Sequence, residues 1–175
     1  MKRDKEIELD FEIDKLTNSI ENTISGEVFD TLITQLSDNK KIKKSNWTFN
    51  WQTEIKDKTK AVYSLTTLNN KEIIQGLICI TDKGDQIFMD LIESSKFNKG
   101  KNKLYNGVAG NLIAFACKKS FEKGYLGIVS FIAKTQLIDH YKKTLGAKIF
   151  DYNRMYIDTK EALILTEKYF KHFKL

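Results

Sequence analysis

The sequence predicts a single α/β domain of the α+β type, built on a mixed, mostly antiparallel central sheet with helices on both faces. Strand patterns separated by turn residues follow one another from residue 61 to residue 94, which is typical of an antiparallel meander. A long helical pattern then joins two strand patterns, and strands connected in this way are parallel neighbours in one sheet. The 175 residues contain no proline and no Ser/Gly-rich linker, so one domain over residues 1–175 is expected.

The patterns before residue 61 are the least regular in the chain. Residues 6–14 (EIELDFEID) alternate apolar and acidic side chains, which predicts a half-buried strand. Residues 17–38 are ambiguous, because apolar positions at helical spacing are mixed with β-branched residues that suit a strand; a helix is the favoured interpretation. Residues 47–55 (WTFNWQTEI) place three aromatic side chains on one face and predict another strand.

From residue 61 onward the predicted elements are bounded by turn or capping residues. Gly124 and Gly146 follow the last apolar positions of two helical patterns, where glycine is typical. Residues 95–106 are polar and rich in lysine, which predicts a long loop. The expected elements are a hairpin over 61–80, a strand over 86–94, a helix over 107–123, a buried strand over 126–133, a short helix over 135–145, a hairpin over 147–157 and a helix over 158–170.

The formal charge of +6 suggests an anionic partner. Arg3 and Arg154 are the only arginines, so lysine supplies nearly all of the positive charge. Bidentate contacts to guanine rely mainly on arginine, so sequence-specific nucleic-acid binding is disfavoured. The densest lysine run, residues 39–44 (NKKIKK), is short and is interpreted as a solvated loop, although lysine also attracts a diphosphate or an acidic protein.

Several patterns that would indicate a membrane, an export signal or a metal are missing from the sequence. No stretch approaches the ~18 consecutive apolar residues of a transmembrane helix, so no membrane partner is expected. The charged N-terminus lacks the apolar region of a secretory signal. Cys79 and Cys117 each lie among apolar residues, which predicts buried, reduced thiols in a cytoplasmic protein; no metal-ligand spacing is present.

A glycine-punctuated loop runs directly into the long helical pattern at residues 104–111 (LYNGVAGN). The first turn of a helix exposes unpaired N–H groups and the positive end of the helix dipole, which together favour an anion. Gly107, Ala109 and Gly110 would let an anion approach the backbone closely, and Lys103 adds positive charge. A tight packing corner would need the same small residues, so both interpretations stay open.

These features together resemble the GNAT-type N-acetyltransferase superfamily, mainly over residues 86–158. In that family a loop of pattern Arg/Gln-x-x-Gly-x-Gly/Ala follows the fourth strand; here LYNGVA supplies Gly107 and Ala109, with Leu104 at the Arg/Gln position. The segment LIDHYKKTLGAKIF is similar to the family pattern A-x-x-F-Y-x-x-x-G-F, with Tyr141 at the tyrosine. The resemblance implies an acyltransferase that moves an acetyl group directly from acetyl-CoA to a primary amine of an unidentified small molecule or protein.

The resemblance also implies roles for individual residues. Amides near Ile92 would polarise the thioester carbonyl, and Tyr141 would protonate the leaving thiolate, since a phenol with its ordinary pKa of about 10 is protonated at neutral pH. Glu93, at the end of the same strand, is the candidate general base. Lys103 would assist a cradle for the pyrophosphate of coenzyme A. The cradle residues are Gly107, Val108, Ala109, Gly110 and Asn111.

Each of these roles has a structural alternative. Tyr141 also fits a core position on an amphipathic helix, and Glu93 also fits a solvated carboxylate at a strand end. His140 is either polar lining of the site or a surface histidine, and the aromatic residues of 47–51 belong either to the core or to an acceptor cleft. For the whole chain the alternative is a catalytically inactive GNAT-fold binding module that contacts nucleic acid or an acidic partner through its lysines; a homodimer is an open option for its assembly.

Overall fold

Residues 61–94, which are rich in buried apolar side chains, form the central strands of a seven-stranded sheet. The computed structural model describes residues 6–17 and 19–175. Its strands are β1 (Ile20–Asn22), β2 (Val28–Phe29), β3 (Thr31–Leu36), β4 (Ala61–Thr67), β5 (Gly76–Asp82), β6 (Ile87–Ser94), β7 (Tyr105–Asn106), β8 (Val129–Ile132), β9 (Lys148–Asp151) and β10 (Arg154–Ile157). Its α-helices are α1 (Trp51–Lys56), α2 (Val108–Glu122), α3 (Ile138–Leu145) and α4 (Thr159–Tyr169).

The strands of the main sheet follow the order β3-β4-β5-β6-β8-β10-β9. Neighbouring strands are antiparallel except β6 and β8, which are parallel and are connected through α2. This confirms the predicted mixed, mostly antiparallel sheet and its helical crossover. The parallel strands pair only at Ile87–Val129 and Phe88–Ser130, so they separate beyond this point and leave a gap between their carboxyl-terminal ends.

Apolar clusters cover both faces of the sheet. On one face α2 packs against α4, β5 and β6, and the cluster includes Ile78 and Leu112. On the other face Trp51 of α1 packs with Leu77 and Leu91. Alternate residues of β5 contribute to the two clusters, as the pleat of a strand requires. A smaller sheet in the order β2-β1-β7 joins the N-terminal region to the loop before α2.

Two predictions for the first 38 residues are wrong. Residues 6–14 form no strand ladder, because the segment pairs with the main sheet at one position only, the isolated bridge between Leu9 and Ala133 just after β8. The helix favoured over residues 17–38 is replaced in the described part by β1, β2 and β3. β3 contains three β-branched residues and pairs with β4 over six positions. This pairing at the edge of the sheet favours a strand over the helix for these residues.

The strand predicted over residues 47–55 is also wrong, because α1 begins inside it. The side chain of Asn50 accepts a hydrogen bond from the Thr53 amide at 3.3 Å and caps the helix at that point. The aromatic side chains of this segment still contribute to the core, as one of the two interpretations expected.

The elements predicted after residue 61 are confirmed in order. Gly124 and Gly146 have φ values of 81° and 65° and follow the last turns of α2 and α3, where this left-handed conformation favours glycine. Cys79 and Cys117 are buried free thiols. Within residues 6–17 and 19–175, no helix is long and apolar enough to cross a membrane, and no cluster of side chains is suited to a metal ion.

Candidate functional site

A cavity of about 320 Å³ lies where β6 ends, beside the gap between β6 and β8. Its walls come from the end of β6, the loop that follows, the start of α2 and residues 10–14. The residues of the predicted site that line this cavity are Ile92, Glu93, Lys103 and Ala109. The structure therefore brings three parts of the predicted site to one cavity: the end of β6 with Ile92 and Glu93, the loop with Lys103, and the start of α2 with Ala109.

Close packing fixes the start of α2. Gly107 has a φ of 87°, and a Cβ atom there would clash with the Thr17 side chain and lie 2.7 Å from the Ser19 carbonyl oxygen. A Cβ atom on Gly110 would clash with the hydroxyl of Tyr169. Both glycines are therefore required by packing, whatever else this corner binds.

The first turn of α2 leaves backbone amides available. Among the residues that the structure describes, none outside the helix accepts a hydrogen bond from the amides of residues 108–110. The amide of Asn111 donates to the Gly107 carbonyl at 3.0 Å, and its side chain donates to Thr31 Oγ1 at 3.1 Å. Asn111 is therefore directed at β3, and its predicted place in the cradle is not supported by its contacts.

The carboxylate of Asp14 lies at the end of α2 where the sequence predicted an anion. Asp14 Oδ1 accepts a hydrogen bond from the Gly107 amide at 3.3 Å, and Asp14 Oδ2 forms an ion pair with Lys103 Nζ at 2.9 Å. The N-terminal end of α2 and Lys103 therefore bind a negatively charged group together. Here that group is a carboxylate of the chain itself.

Glu93 is only 2% exposed, and its carboxylate is saturated with hydrogen bonds. Oε1 accepts from the Trp51 indole at 2.9 Å and from the Phe49 amide at 3.2 Å, and Oε2 accepts from the Thr48 amide and Lys99 Nζ, both at 2.8 Å. Burial raises the pKa of this carboxyl, but the hydrogen bonds, led by that from Lys99, outweigh burial and leave the pKa below its ordinary value. Glu93 is thus ionised and buried, and it ties the start of α1 to the end of β6.

Tyr141 is fully buried on α3 and does not line the cavity. Its hydroxyl donates to the Phe11 carbonyl at 2.6 Å, and the two ring centroids are 5.2 Å apart. Burial, with a smaller effect from Asp10 and Glu12, raises the pKa of Tyr141 well above its usual value, so the phenol keeps its proton. The proton donor expected from the sequence is present, but the N-terminal segment occupies it.

The sequence analysis assigned no site role to residues 7–14. Here the Ile13 amide donates to His140 Nε2 at 2.8 Å, so His140 is a satisfied histidine facing this segment. Asp10, Glu12 and Asp14 line the cavity. The signal was visible in the acidic residues at every second position of EIELDFEID, which we interpreted as the solvent face of a strand.

Solved structures of other proteins share this architecture. A KacTA–DNA complex aligns with a TM-score of 0.54 at 11% identity, over 78% of this chain and 98% of that chain. A tyrosine-to-phenylalanine mutant of the AtaT toxin, bound to the C-terminus of the antitoxin AtaR and acetyl-CoA, aligns with a TM-score of 0.51 at 12% identity, over 78% of this chain and 97% of that chain. AtaTR bound with acetyl-CoA aligns with a TM-score of 0.50 at 15% identity, over 78% of this chain and 98% of that chain.

No family model matches the sequence, and no curated protein matches it. At 11–15% identity the likeness to the solved structures defines the fold alone. The chain has a divergent GNAT-like acetyltransferase fold, with a seven-stranded, mostly antiparallel sheet and helices on both faces. The resemblance drawn from residues 86–158 is confirmed at the level of the fold.

Proposed function

We propose that the chain is an N-acetyltransferase that uses acetyl-CoA and transfers the acetyl group directly to a primary amine. The observation that carries the proposal is the separation of β6 from β8 after Phe88 and Ser130, with the free amides of α2 at the mouth of the gap. A gap between parallel strands exposes backbone groups that a thioester carbonyl and a pantetheine arm can contact. The AtaTR structure, which shares the fold, contains acetyl-CoA.

In this proposal the pyrophosphate of coenzyme A lies at the start of α2. The amides of residues 108–110 would donate to its oxygens, and the helix dipole and Lys103 would favour its charge. The thioester would then lie near Ile92, where it reaches the end of β6 and the cavity. No metal takes part in the proposed reaction.

The proposal keeps Tyr141 as the acid that protonates the leaving thiolate. The raised pKa keeps the proton on the phenol and makes Tyr141 a weak acid while its hydroxyl is buried and donates to the Phe11 carbonyl. Donation to the thiolate therefore requires that residues 10–12, whose carboxylates and carbonyl surround the hydroxyl, first move away. Glu93 is reassigned from general base to positioning residue, because four donors occupy its carboxylate and its pKa is lowered. The amine acceptor would lose its proton to solvent or to a group that acceptor binding brings in.

Two assays test this proposal. Isothermal titration with acetyl-CoA should give saturable binding, and an amine panel should release the coenzyme A thiol, measured with a thiol reagent. Absence of binding up to about 1 mM acetyl-CoA, both in the wild type and in the variants described below, would exclude the proposed function.

A second function is favoured by one observation, the engagement of Tyr141, His140 and Gly107 by the chain's own N-terminal residues. A protein whose site is permanently filled in this way would be a GNAT-fold binding module without turnover. Lysine-mediated binding of nucleic acid would then show as retention that weakens steeply with salt. Turnover with any amine would contradict this second function.

A further inference from the structure

Residues 7–17, here called the strap, cross the gap between β6 and β8. The Leu9 amide donates to the Ile132 carbonyl at 2.7 Å, and the Lys134 amide donates to the Leu9 carbonyl at 2.9 Å. The opposite edge of β8 is taken by β10, since the Ala133 amide donates to the Asn153 carbonyl. Leu9 therefore pairs with the edge of β8 that faces β6, inside the gap where the two strands have separated.

The strap then continues past α3 to the start of α2. The Phe11 carbonyl accepts from the Tyr141 hydroxyl, and the Ile13 amide donates to His140 Nε2. The next residue, Asp14, contacts the Gly107 amide and Lys103 Nζ. One continuous segment thus lies in the gap between β6 and β8, accepts the hydrogen bond of the predicted acid Tyr141 and places a carboxylate at the predicted anion position.

We infer that the strap is an internal competitor of acyl-CoA, which holds the transfer site closed until the cofactor or a partner displaces it. This inference rests on the proposed function, because it takes the gap between β6 and β8 and the N-terminal end of α2 as the cofactor site. The Leu9–Phe11 backbone stands in for the pantetheine arm, and the Asp14 carboxylate stands in for a phosphate.

Few of the strap's attachments belong to the sheet. It contributes an isolated bridge and no strand ladder, so its backbone can leave without breaking the register of the sheet. Its ion pair between Asp10 and Lys134 is about half exposed at both ends, where such pairs contribute little. Leu9 and Ile13 are its buried apolar residues, at 2% and 6% exposure, and Phe11 and Leu16 pack partly buried against the same cluster.

Charge adds to the competition. Asp10, Glu12 and Asp14 line the cavity together with Lys99 and Lys103, and Lys103 forms an ion pair with Asp14. While the strap is in place these carboxylates repel the phosphates of coenzyme A, and its release removes them from the site together. The sequence EIELDFEID therefore combines apolar anchors with a repulsive face.

The first test replaces Asp14 with alanine, and Glu8→Ala is the matched control. Both changes remove one negative charge from the same segment, but the exposed Glu8 contacts the Asn153 side chain and does not line the cavity. Titration with acetyl-CoA should show about tenfold tighter binding for Asp14→Ala, since one charge-assisted contact with the cradle is lost, and a change under about twofold for Glu8→Ala. Equal affinities in all three proteins would overturn the inference.

The second test locks the strap covalently in the full chain. Leu9 and Ala133 are bridge partners, and partners on adjacent strands lie about 4.8 Å apart, within the range that a disulfide spans. The double variant Leu9→Cys/Ala133→Cys, oxidised with oxidised glutathione, should lose acetyl-CoA binding, and reduction with dithiothreitol should restore it. The native Cys79 and Cys117 are buried and serve as the background in a parallel oxidation of the wild type.

The outcomes separate the two proposals. Binding by the reduced variant that vanishes on oxidation supports the strap as a competitor. Binding that is the same in both redox states overturns the inference and leaves the proposed function standing. If neither the wild type nor Asp14→Ala nor the reduced variant binds acetyl-CoA, the proposed function fails and the inference fails with it.

Discussion

Replacing Glu93 with glutamine should destabilise the protein far more than an ordinary Glu→Gln change. Around the carboxylate lie four donors, so an amide nitrogen placed there must oppose either the Thr48 amide with Lys99, or the Phe49 amide with the Trp51 indole. Leaving a buried amide unsatisfied costs about 1–3 kcal/mol, and the half-exposed Lys99 pair adds about 1 kcal/mol at most. The expected loss is therefore about 1–4 kcal/mol.

Thermal unfolding at neutral pH measures this loss. For a chain of this length about 1–4 kcal/mol corresponds to a fall in Tm of about 2–16 °C. Glu122→Gln is the control, because its carboxylate is 42% exposed and, among residues 6–17 and 19–175, pairs only with Lys118 and Lys119 on the surface of α2. A shift of under about 1 °C is expected there.

The stability difference should depend on pH with a defined sign. The folded-state pKa of Glu93 is lowered from the ordinary 4.5, so the ionised carboxylate stabilises the fold above that value. This contribution is lost as the pH falls through the lower folded-state pKa, and the gap between wild type and Glu93→Gln should narrow there. An unchanged Tm for Glu93→Gln, combined with a large loss of turnover, would refute the positioning role and restore Glu93 as the general base.

Other predictions concern the start of α2 and the proposed acid. Gly107→Ala should destabilise the fold by at least ~2 kcal/mol more than Gly84→Ala, since both glycines have a φ of 87° but only the Gly107 site would clash, with Thr17; equal losses in urea unfolding would refute this packing account. Tyr141→Phe should lower turnover at least tenfold and should lose about 1 kcal/mol of stability with the Phe11 hydrogen bond. Because this bond also holds the strap, the variant should bind acetyl-CoA about fivefold more tightly. An unchanged turnover would remove Tyr141 from the acid role.

The elements after residue 61 were predictable because local signals define them. Gly124 and Gly146 adopt the left-handed conformation that ends a helix, and the apolar run of 126–133 needs the cover that a central strand receives. The parallel pairing of β6 with β8 followed from the crossover alone. Each of these predictions depended on information within about one element of the residue concerned.

The N-terminal half failed where long-range contacts decide the structure. Residues 47–55 have a period of two in their aromatic side chains, which is typical of a strand. The Asn50 side chain nevertheless caps a helix there, and the Glu93 carboxylate, 42–45 residues away, accepts hydrogen bonds from the residues just before and at its start. Residues 6–14 have the pattern of a strand, but within this segment only Leu9 forms a bridge to the main sheet, at Ala133. No local signal specifies either partner.

The candidate site was predictable in its location and less so in its content. The resemblance placed Ile92, Lys103 and Ala109 together, and they line one cavity. The carboxylates that share this cavity come from a segment more than 75 residues away in sequence, and their contact with α2 is a property of the tertiary structure.

Amide hydrogen exchange with and without acetyl-CoA tests the central claim most directly. The amides of Leu9 and Ile13 are hydrogen-bonded to Ile132 and His140 in the closed state. The amides of residues 108–110, to which we assign the phosphates, have no acceptor outside α2 within the described residues. Acetyl-CoA should accelerate exchange at Leu9 and Ile13 and slow it at residues 108–110. Saturating acetyl-CoA that leaves Leu9 and Ile13 as protected as before, with no change at residues 108–110, would contradict the claim that cofactor and strap compete for one site.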